Sequence, residues 1–117
     1  MACRNCVINT NSIVKISCIA LSKDKYSNEY FKHNNKAIPL RHLAPEILDS
    51  GAFSLASDLY ACGFVLWEVL SRGALPFDKL VPSDDEFLQQ LSDHSLDYTS
   101  FVENEKIPND LRKVLVR

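Results

Sequence analysis

The stretch Ser57–Glu68, which reads S-D-L-Y-A-C-G-F-V-L-W-E, decides the fold of this 117-residue chain. Ser57 and Asp58 suit the start of a helix, because small polar and acidic residues complement the unpaired N–H groups there. The apolar residues that follow recur at helical spacing on two flanks, so the pattern predicts a helix that is buried on every side. The first flank consists of Leu59, Cys62, Val65, Leu66 and Val69, and the other consists of Phe64 and Trp67, which we expect in the core rather than in a ligand site.

The segments before this helix predict a hairpin and a loop. Val7–Ile8 and Ile13–Ile16 are apolar arms on either side of Asn9–Ser12, whose residue types favour a turn, so they predict an N-terminal β-hairpin. Residues 23–36 contain no aliphatic side chain and predict a long polar loop.

Three further helices are predicted from their end signals. Pro45 can begin a short helix that Gly51 ends. Ser83–Glu86 is a capping box followed by apolar residues, and it predicts a second helix. The last predicted helix follows Pro108, with Leu111, Val114 and Leu115 on one face. The fold class is therefore mainly α with a small N-terminal β-hairpin.

Composition excludes several classes of function. The net charge of −2 argues against binding to nucleic acid, which needs a basic face. No apolar stretch approaches the roughly 20 residues of a membrane span, and the first residues do not resemble a signal peptide. The four cysteines are irregularly spaced, which favours reduced thiols. A zinc site on Cys3 and Cys6 remains an alternative, but a second ligand pair is missing, so no metal site is predicted.

Several motifs, in order, resemble the protein tyrosine kinase domain. Met1–Asn5 resembles the L-A-A-R-N half of the catalytic loop H-R-D-L-A-A-R-N, and Ile38–Arg41 resembles the substrate platform. Ala44–Glu46 matches A-P-E. Ser57–Glu68 resembles the central helix S-D-V-W-S-F-G-V-L-L-W-E, and Pro76–Phe77 matches the turn after it.

The resemblance implies a partial kinase fold, a C-lobe fragment without the N-lobe. It divides residues 1–117 into a catalytic-loop remnant with the hairpin (1–22), an activation-segment-like loop (23–46) and a helical subdomain (47–117). Within the tyrosine kinases the chain resembles the off-track family of inactive receptors, also called colon carcinoma kinase-like. The residues that carry this finer resemblance are Asn5–Ile8, Lys15–Ser17 and Ala20–Asp24.

Phosphoryl transfer depends on metal ions and a positioned orienting group. Where kinases have the Mg²⁺-binding motif D-F-G, this chain has Cys18, Ile19 and Ala20. A thiol is a poor ligand for Mg²⁺, which demands oxygen, so the motif is degenerate. Arg4 and Asn5 are then vestigial, and neither H-R-D nor G-x-G-x-x-G occurs in the chain. We expect no catalytic residue, no cofactor and no enzyme activity. ATP and Mg²⁺ are expected only if the chain is a fragment of an active kinase.

The polar loop carries two tyrosines, Tyr26 and Tyr30, at spacing similar to that of receptor activation loops. Phosphorylation by another kinase would add charge that recruits a partner or orders the loop. The alternative interpretation is a pair of half-exposed loop tyrosines. At the platform, His42 and Leu43 replace a usual Trp-Met, which casts doubt on productive substrate docking.

Four residues are expected to have structural roles by resemblance: Ala44, Pro45, Glu46 and Asp58. In the family the Glu of A-P-E pairs with a late Arg, and the helix Asp holds the catalytic-loop backbone. Much of that loop and the late Arg are missing from this sequence. Burying Glu46 and Asp58 without partners would be costly, so we expect the isolated chain to be poorly stable.

The resemblance therefore implies a pseudokinase module on the cytoplasmic side of a plasma-membrane receptor. The resemblance implies a signalling scaffold in Wnt or planar-polarity signalling, with signalling proteins and another kinase as partners. Membrane attachment would come only from a segment outside this chain. Two alternatives remain: a fragment of an active ATP-dependent receptor tyrosine kinase, and a small zinc-stabilised domain.

Overall fold

The computed structural model describes residues 1–17, 25–103 and 108–110. Four α-helices lie wholly within these residues, together with two small antiparallel sheets and three short 3₁₀ turns. The helices are α1 (Pro45–Ser50), α2 (Leu55–Leu70), α3 (Asp84–Ser92) and α4 (Tyr98–Glu103). The strands are β1 (Cys6–Ile8) paired with β2 (Val14–Ile16), and β3 (Phe31–His33) paired with β4 (Lys36–Ile38).

Helix α2 begins earlier than the sequence predicts. The Ser57 N–H donates to Ser54 Oγ at 3.1 Å, and the Ser54 N–H donates to Ser57 Oγ at 2.9 Å. This reciprocal capping box satisfies two N–H groups that a helix start leaves unpaired, so Ser54 rather than Ser57 is the cap. Ser57 lies inside the first turn and is buried.

The described residues cover only one face of α2, so burial on every side stays a prediction. Its buried face includes Ala61, Phe64 and Trp67, which confirms that the two aromatic residues belong to the core. The opposite face is apolar but exposed, because no other described element packs over it. The exposed residues of this face are Leu55, Leu59, Cys62, Leu66 and Val69.

The predicted N-terminal hairpin is confirmed, and Ile8 pairs with Val14 in its register. A second hairpin lies where the sequence predicts only a polar loop. Its turn residues Asn34 and Asn35 have φ values of 47° and 62°. Two consecutive positive φ values are typical of the tightest hairpin turns, and Asn tolerates them better than most residues.

The other predicted helices are confirmed where the structure describes them. Gly51 ends α1 with a left-handed φ of 66°, and Ser83 Oγ accepts the Glu86 N–H at the start of α3. Helix α4 was not predicted. The last predicted helix face, Leu111, Val114 and Leu115, lies outside the described residues. No helix among the described residues is long and apolar enough to cross a membrane.

The core is built around Phe77, which follows the helix α2 turn. Its ring stacks on Phe101 with centroids 4.1 Å apart and also contacts Phe64, Phe87 and Tyr98. Phe77 has a φ of 60°, which is costly for a bulky side chain. The aromatic contacts therefore hold a backbone conformation that the residue alone would avoid.

Candidate functional site

The catalytic-loop remnant folds as a 3₁₀ turn, Cys3–Asn5, against the end of α2. Arg4 has a side chain only 3% exposed, and its Nη1 lies 2.6 Å from Glu29 Oε2. Arg4 Nε donates to the Tyr30 hydroxyl at 3.3 Å, and the guanidinium lies 4.6 Å from the centre of that ring. Nε and Nη1 of Arg4 are therefore engaged in contacts inside the chain.

Asn5, the second residue that the resemblance assigns to the catalytic loop, is buried next to Arg4 in the chain. Its backbone carbonyl accepts the Ser17 N–H at 2.6 Å, which ties the remnant to the chain just after β2. The degenerate motif Cys18, Ile19 and Ala20 follows immediately and lies outside the described residues.

Glu68 connects the remnant to the platform, a role that the sequence did not reveal. Glu68 Oε2 accepts the Cys3 N–H at 2.7 Å and lies 3.1 Å from His42 Nε2. Burial opposes ionisation of Glu68, but the contact with His42, the Cys3 N–H and the charge of Arg4 outweigh it. The pKa of Glu68 is therefore lowered from its ordinary value.

Arg41 anchors the platform to the helical part and is 3% exposed. Its Nε and Nη2 donate to Asp84 Oδ1 at 3.0 and 2.8 Å, and its Nη1 donates to the Val81 carbonyl at 2.7 Å. The guanidinium also lies 4.6 Å from the centre of the Phe87 ring. The planar guanidinium group of arginine has five N–H donors and can reach all of these acceptors at once. The single ammonium group of lysine could not.

A cleft of about 500 Å³ opens beside the remnant. Two cations, Arg4 and Lys25, and two carboxylates, Glu29 and Glu68, line it together with Tyr26. The described residues therefore bring equal numbers of cations and carboxylates to the cleft. In the part of the chain that the structure describes, no three His, Cys, Asp or Glu side chains are grouped to hold a metal ion.

The two loop tyrosines have different surroundings. Tyr26 lines the cleft, where Lys25 Nζ lies 5.6 Å from its ring centre. Tyr30 packs against the Arg4 guanidinium and its hydroxyl accepts from Arg4 Nε. Both side chains are half-buried, so the two tyrosines do not differ in exposure. They differ because Tyr30 contacts Arg4.

The structure corrects the expected burial of Glu46 and Asp58. Both carboxylates are exposed, because α1 and the first turn of α2 present them outwards, so the expected penalty for burying them does not apply. Ala44 is fully buried, and Pro45 occupies the first turn of α1, where its missing N–H costs nothing. The late Arg expected for Glu46 is not in the sequence, so that pairing stays a prediction.

Among the described cysteines, Cys3 has surroundings that disfavour its thiolate. Burial, followed by the charges of Glu68 and Cys6, raises the pKa of the Cys3 thiol. A raised pKa leaves less of the nucleophilic and metal-binding thiolate at neutral pH. Cys6 is half-buried and Cys62 is exposed, and Cys18 lies outside the described residues.

A loop remnant, a platform beside A-P-E and a central helix, held together by Glu68 and Arg41, are parts of a protein kinase domain. The family model of protein tyrosine and serine/threonine kinases matches residues 1–117. The chain belongs to this family.

Comparison with individual relatives shows which members of the family the chain resembles. The chain is 39% identical to the tyrosine-protein kinase-like otk of Drosophila melanogaster over 117 residues, 99% of this chain and 11% of the relative. The otk proteins of Drosophila ananassae and Drosophila willistoni are 39% and 38% identical over the same shares. The chain is thus similar to a kinase-domain fragment of otk, as its sequence predicts, and spans about a tenth of the length of these relatives.

Proposed function

We propose that this chain is part of the C-lobe of a catalytically impaired tyrosine-kinase-like module in a longer receptor, where it binds signalling proteins instead of transferring phosphate. The observation that carries the proposal is the sequence Cys18-Ile19-Ala20 at the position of the Mg²⁺-binding motif. No carboxylate is available there, and Mg²⁺ requires hard oxygen ligands.

The geometry of the remnant supports the same proposal. Arg4 is held by Glu29 and Tyr30, so its charge is already balanced inside the chain. Stabilising a transferring phosphoryl group needs cationic groups and metal ions directed at it. Among the described residues, the nearby cleft has as many carboxylates as cations, so these residues supply no net positive charge for a polyphosphate.

The biological setting is proposed from the relatives. Their name, tyrosine-protein kinase-like, fits a module that keeps the fold and lacks the activity. We propose a cytoplasmic position in a plasma-membrane receptor, with signalling proteins as partners and a role related to Wnt or planar polarity. A second, active kinase would act on Tyr26 or Tyr30.

Isothermal titration with ATP, with and without Mg²⁺, of the whole kinase-like module of the longer receptor that contains this chain tests the proposal. We expect no Mg²⁺-dependent binding and no transfer of labelled phosphate to a tyrosine peptide. The variant that combines Cys18→Asp with Ala20→Gly restores the oxygen ligand and the glycine of the motif. If the ligand is what is missing, this variant gains Mg²⁺-dependent nucleotide affinity that the wild type lacks.

An active tyrosine kinase domain serves as the positive control in both assays. Wild-type phosphate transfer that requires Mg²⁺ and disappears in Cys18→Ala would refute the proposal in favour of an active kinase. Metal analysis of the same purified module separates the zinc alternative, because a stoichiometric zinc ion would be retained through dialysis.

A further inference from the structure

Cys3 and Cys6 stand at the two ends of one 3₁₀ turn. Cys3 begins the turn, and the N–H of Cys6, the residue that caps it, donates to the Cys3 carbonyl. Residues three apart in a 3₁₀ turn lie above one another, and the rise is about 2 Å per residue. This geometry places the two Cα atoms roughly 6 Å apart, within the roughly 4.4–6.8 Å that a disulfide spans.

The side chain of Cys6 is directed back along the turn towards Cys3. Its Sγ lies 3.9 Å from the carbonyl oxygen of Ala2, and that carbonyl belongs to the peptide unit that ends at the Cys3 nitrogen. Cys3 and Cys6 also line the same cleft. We therefore expect the two sulfur atoms to meet through rotation of the side chains between rotamers, with the backbone of the turn unchanged.

The backbone of the turn is held in place before any bond forms. The Cys3 N–H donates to Glu68 Oε2 at 2.7 Å, and the Asn5 N–H donates to the Ala2 carbonyl at 2.9 Å. The Asn5 carbonyl in turn accepts the Ser17 N–H. Because the turn is already ordered, little further chain entropy is lost when its two ends are joined.

We propose that Cys3 and Cys6 form a reversible disulfide, so that the loop remnant contains a redox-sensitive modification site. The bridge closes a ring of only four residues, so it constrains the unfolded chain little. In a cytosolic setting the dithiol is the resting state, because disulfides there are usually transient. That setting rests on the proposed function, whereas the bond itself does not depend on the loss of catalysis.

The oxidant is a hydroperoxide such as hydrogen peroxide. Cys6 reacts first, because burial and the charge of Glu68 raise the pKa of the Cys3 thiol. The Cys6 thiolate attacks one peroxide oxygen, the O–O bond breaks, and the hydroxide that leaves takes up the proton that Cys6 has lost. Cys6 is then a sulfenic acid.

The second step joins the two sulfur atoms. The Cys3 sulfur attacks the Cys6 sulfur, the S–S bond forms as the S–O bond breaks, and water leaves with the proton of the Cys3 thiol. Two thiols and one peroxide thus give one disulfide and two water molecules. Both cysteines belong to one turn and the oxidant is small, so the pairing needs no uncovered surface and no second protein.

Differential alkylation of the whole kinase-like module that contains this chain tests the pairing. The module is treated with hydrogen peroxide, and its free thiols are blocked with a first reagent. Its disulfides are then reduced and labelled with a second reagent. We expect the second label on both Cys3 and Cys6, and its loss when reduced glutathione is added before the blocking step, because short or exposed bridges are readily reduced.

Digestion after lysine identifies the partners. Cys3 and Cys6 remain together in a peptide that ends at Lys15, whereas Cys18 and Cys62 fall in two other peptides. A bridge between Cys3 and Cys6 therefore makes its peptide lighter by two hydrogen atoms before reduction and links it to no other peptide.

Three variants separate the two steps. In Cys6→Ser, Cys3 should keep the first label, because the thiol that reacts first is missing. In Cys3→Ser, Cys6 should accumulate as a sulfenic acid that a sulfenic-acid reagent traps. Cys62→Ser is the matched control, since Cys62 is exposed on α2, and it should leave the bridge unchanged. Circular dichroism confirms that each variant keeps its helical content.

Three outcomes would overturn the proposal. In the first, Cys3 and Cys6 keep the first label in the wild type while Cys62 is oxidised, which would show that peroxide reaches the protein without joining the pair. In the second, the peptide is linked to another peptide, so the partner is a different cysteine. In the third, the bridge withstands reduced glutathione, which would make it a permanent structural bond.

Discussion

His42 Nε2 lies 3.1 Å from Glu68 Oε2, and the same carboxylate oxygen accepts the backbone N–H of Cys3. One buried side chain at the end of α2 therefore joins the platform to the catalytic-loop remnant. His42 is a departure from the usual Trp of the family, and the structure places an imidazole nitrogen at this position beside the helix carboxylate.

Glu68 should make the stability of the chain sensitive to acid. Its pKa is lower in the folded chain than the ordinary 4.5, so its contribution is present above about pH 4.5 and is lost as the pH falls through the folded value. We expect the wild type to lose more stability than Glu68→Gln between pH 6 and pH 3.5 in urea denaturation. Equal losses in the two proteins would contradict this role.

At pH 7, Glu68→Gln should cost about 1–3 kcal/mol, because a neutral amide cannot replace the carboxylate beside His42 and the Cys3 N–H. Asp85→Asn is the matched control, since Asp85 is an exposed carboxylate in the first turn of α3. Its loss should change the unfolding free energy by less than about 0.5 kcal/mol.

Replacing Arg41 should destabilise the chain strongly. Arg41→Ala removes the donors to Asp84 and to the Val81 carbonyl, and we expect a loss of about 2–3 kcal/mol in the free energy of unfolding. Arg41→Lys should recover only part of this, because an ammonium group cannot donate in a fork. Full recovery with Lys would show that charge alone matters.

The Arg41–Asp84 ion pair can also be tested by replacing Asp84. Its side chain is 42% exposed, so Asp84→Asn leaves a solvated amide and should cost less than about 1 kcal/mol. An Asp84→Asn loss as large as that of Arg41→Ala would contradict the view that the buried carbonyl contacts dominate.

At Phe77, substitution by Gly should destabilise the chain no more than substitution by Ala. Phe77→Ala removes an aromatic core side chain and should cost about 3–5 kcal/mol. Phe77→Gly loses the same contacts, but glycine adopts the φ of 60° without strain, which is worth about 1 kcal/mol. We therefore expect Phe77→Gly to unfold at the same or higher urea concentration than Phe77→Ala, the reverse of the usual order at positions with negative φ.

Tyr26 and Tyr30 should differ as substrates of an active tyrosine kinase. The Tyr30 hydroxyl accepts from Arg4 and its ring stacks on the guanidinium, so this contact must break before transfer. Mass spectrometry should find Tyr26 modified faster, and Arg4→Gln should speed modification of Tyr30 without changing the rate at Tyr26. Faster modification of Tyr30 in the wild type would contradict the prediction.

Local signals in the sequence were enough to predict most of the elements. The turn at Asn9–Ser12, the stop at Gly51 and the cap at Ser83 act within a few residues, and the structure confirms each. The hairpin at Asn34 and Asn35 was missed, although its signal was present, because the absence of aliphatic residues in residues 23–36 was taken to indicate a loop.

Long-range relationships could not be predicted in the same way. The apolar pattern of α2 gives no sign of which element covers which face, and the described residues cover only one face. The roles of Glu68 and Arg41 depend on partners far away in the chain, and nothing in the local sequence of either residue indicates them. Residues such as Arg4 were identified through family resemblance, but their contacts came only from the coordinates.

The acceptors of Arg41 lie 35 to 43 residues further along the chain, which has a consequence for the order of folding. Helices α2 and α3 form through contacts between residues only a few positions apart. The Arg41 contacts instead close a loop of some forty residues, and the chain entropy lost in closing it opposes folding until those contacts have formed. The Arg41 contacts should therefore form late, after the transition state. Arg41→Lys should then speed unfolding and leave the refolding rate nearly unchanged.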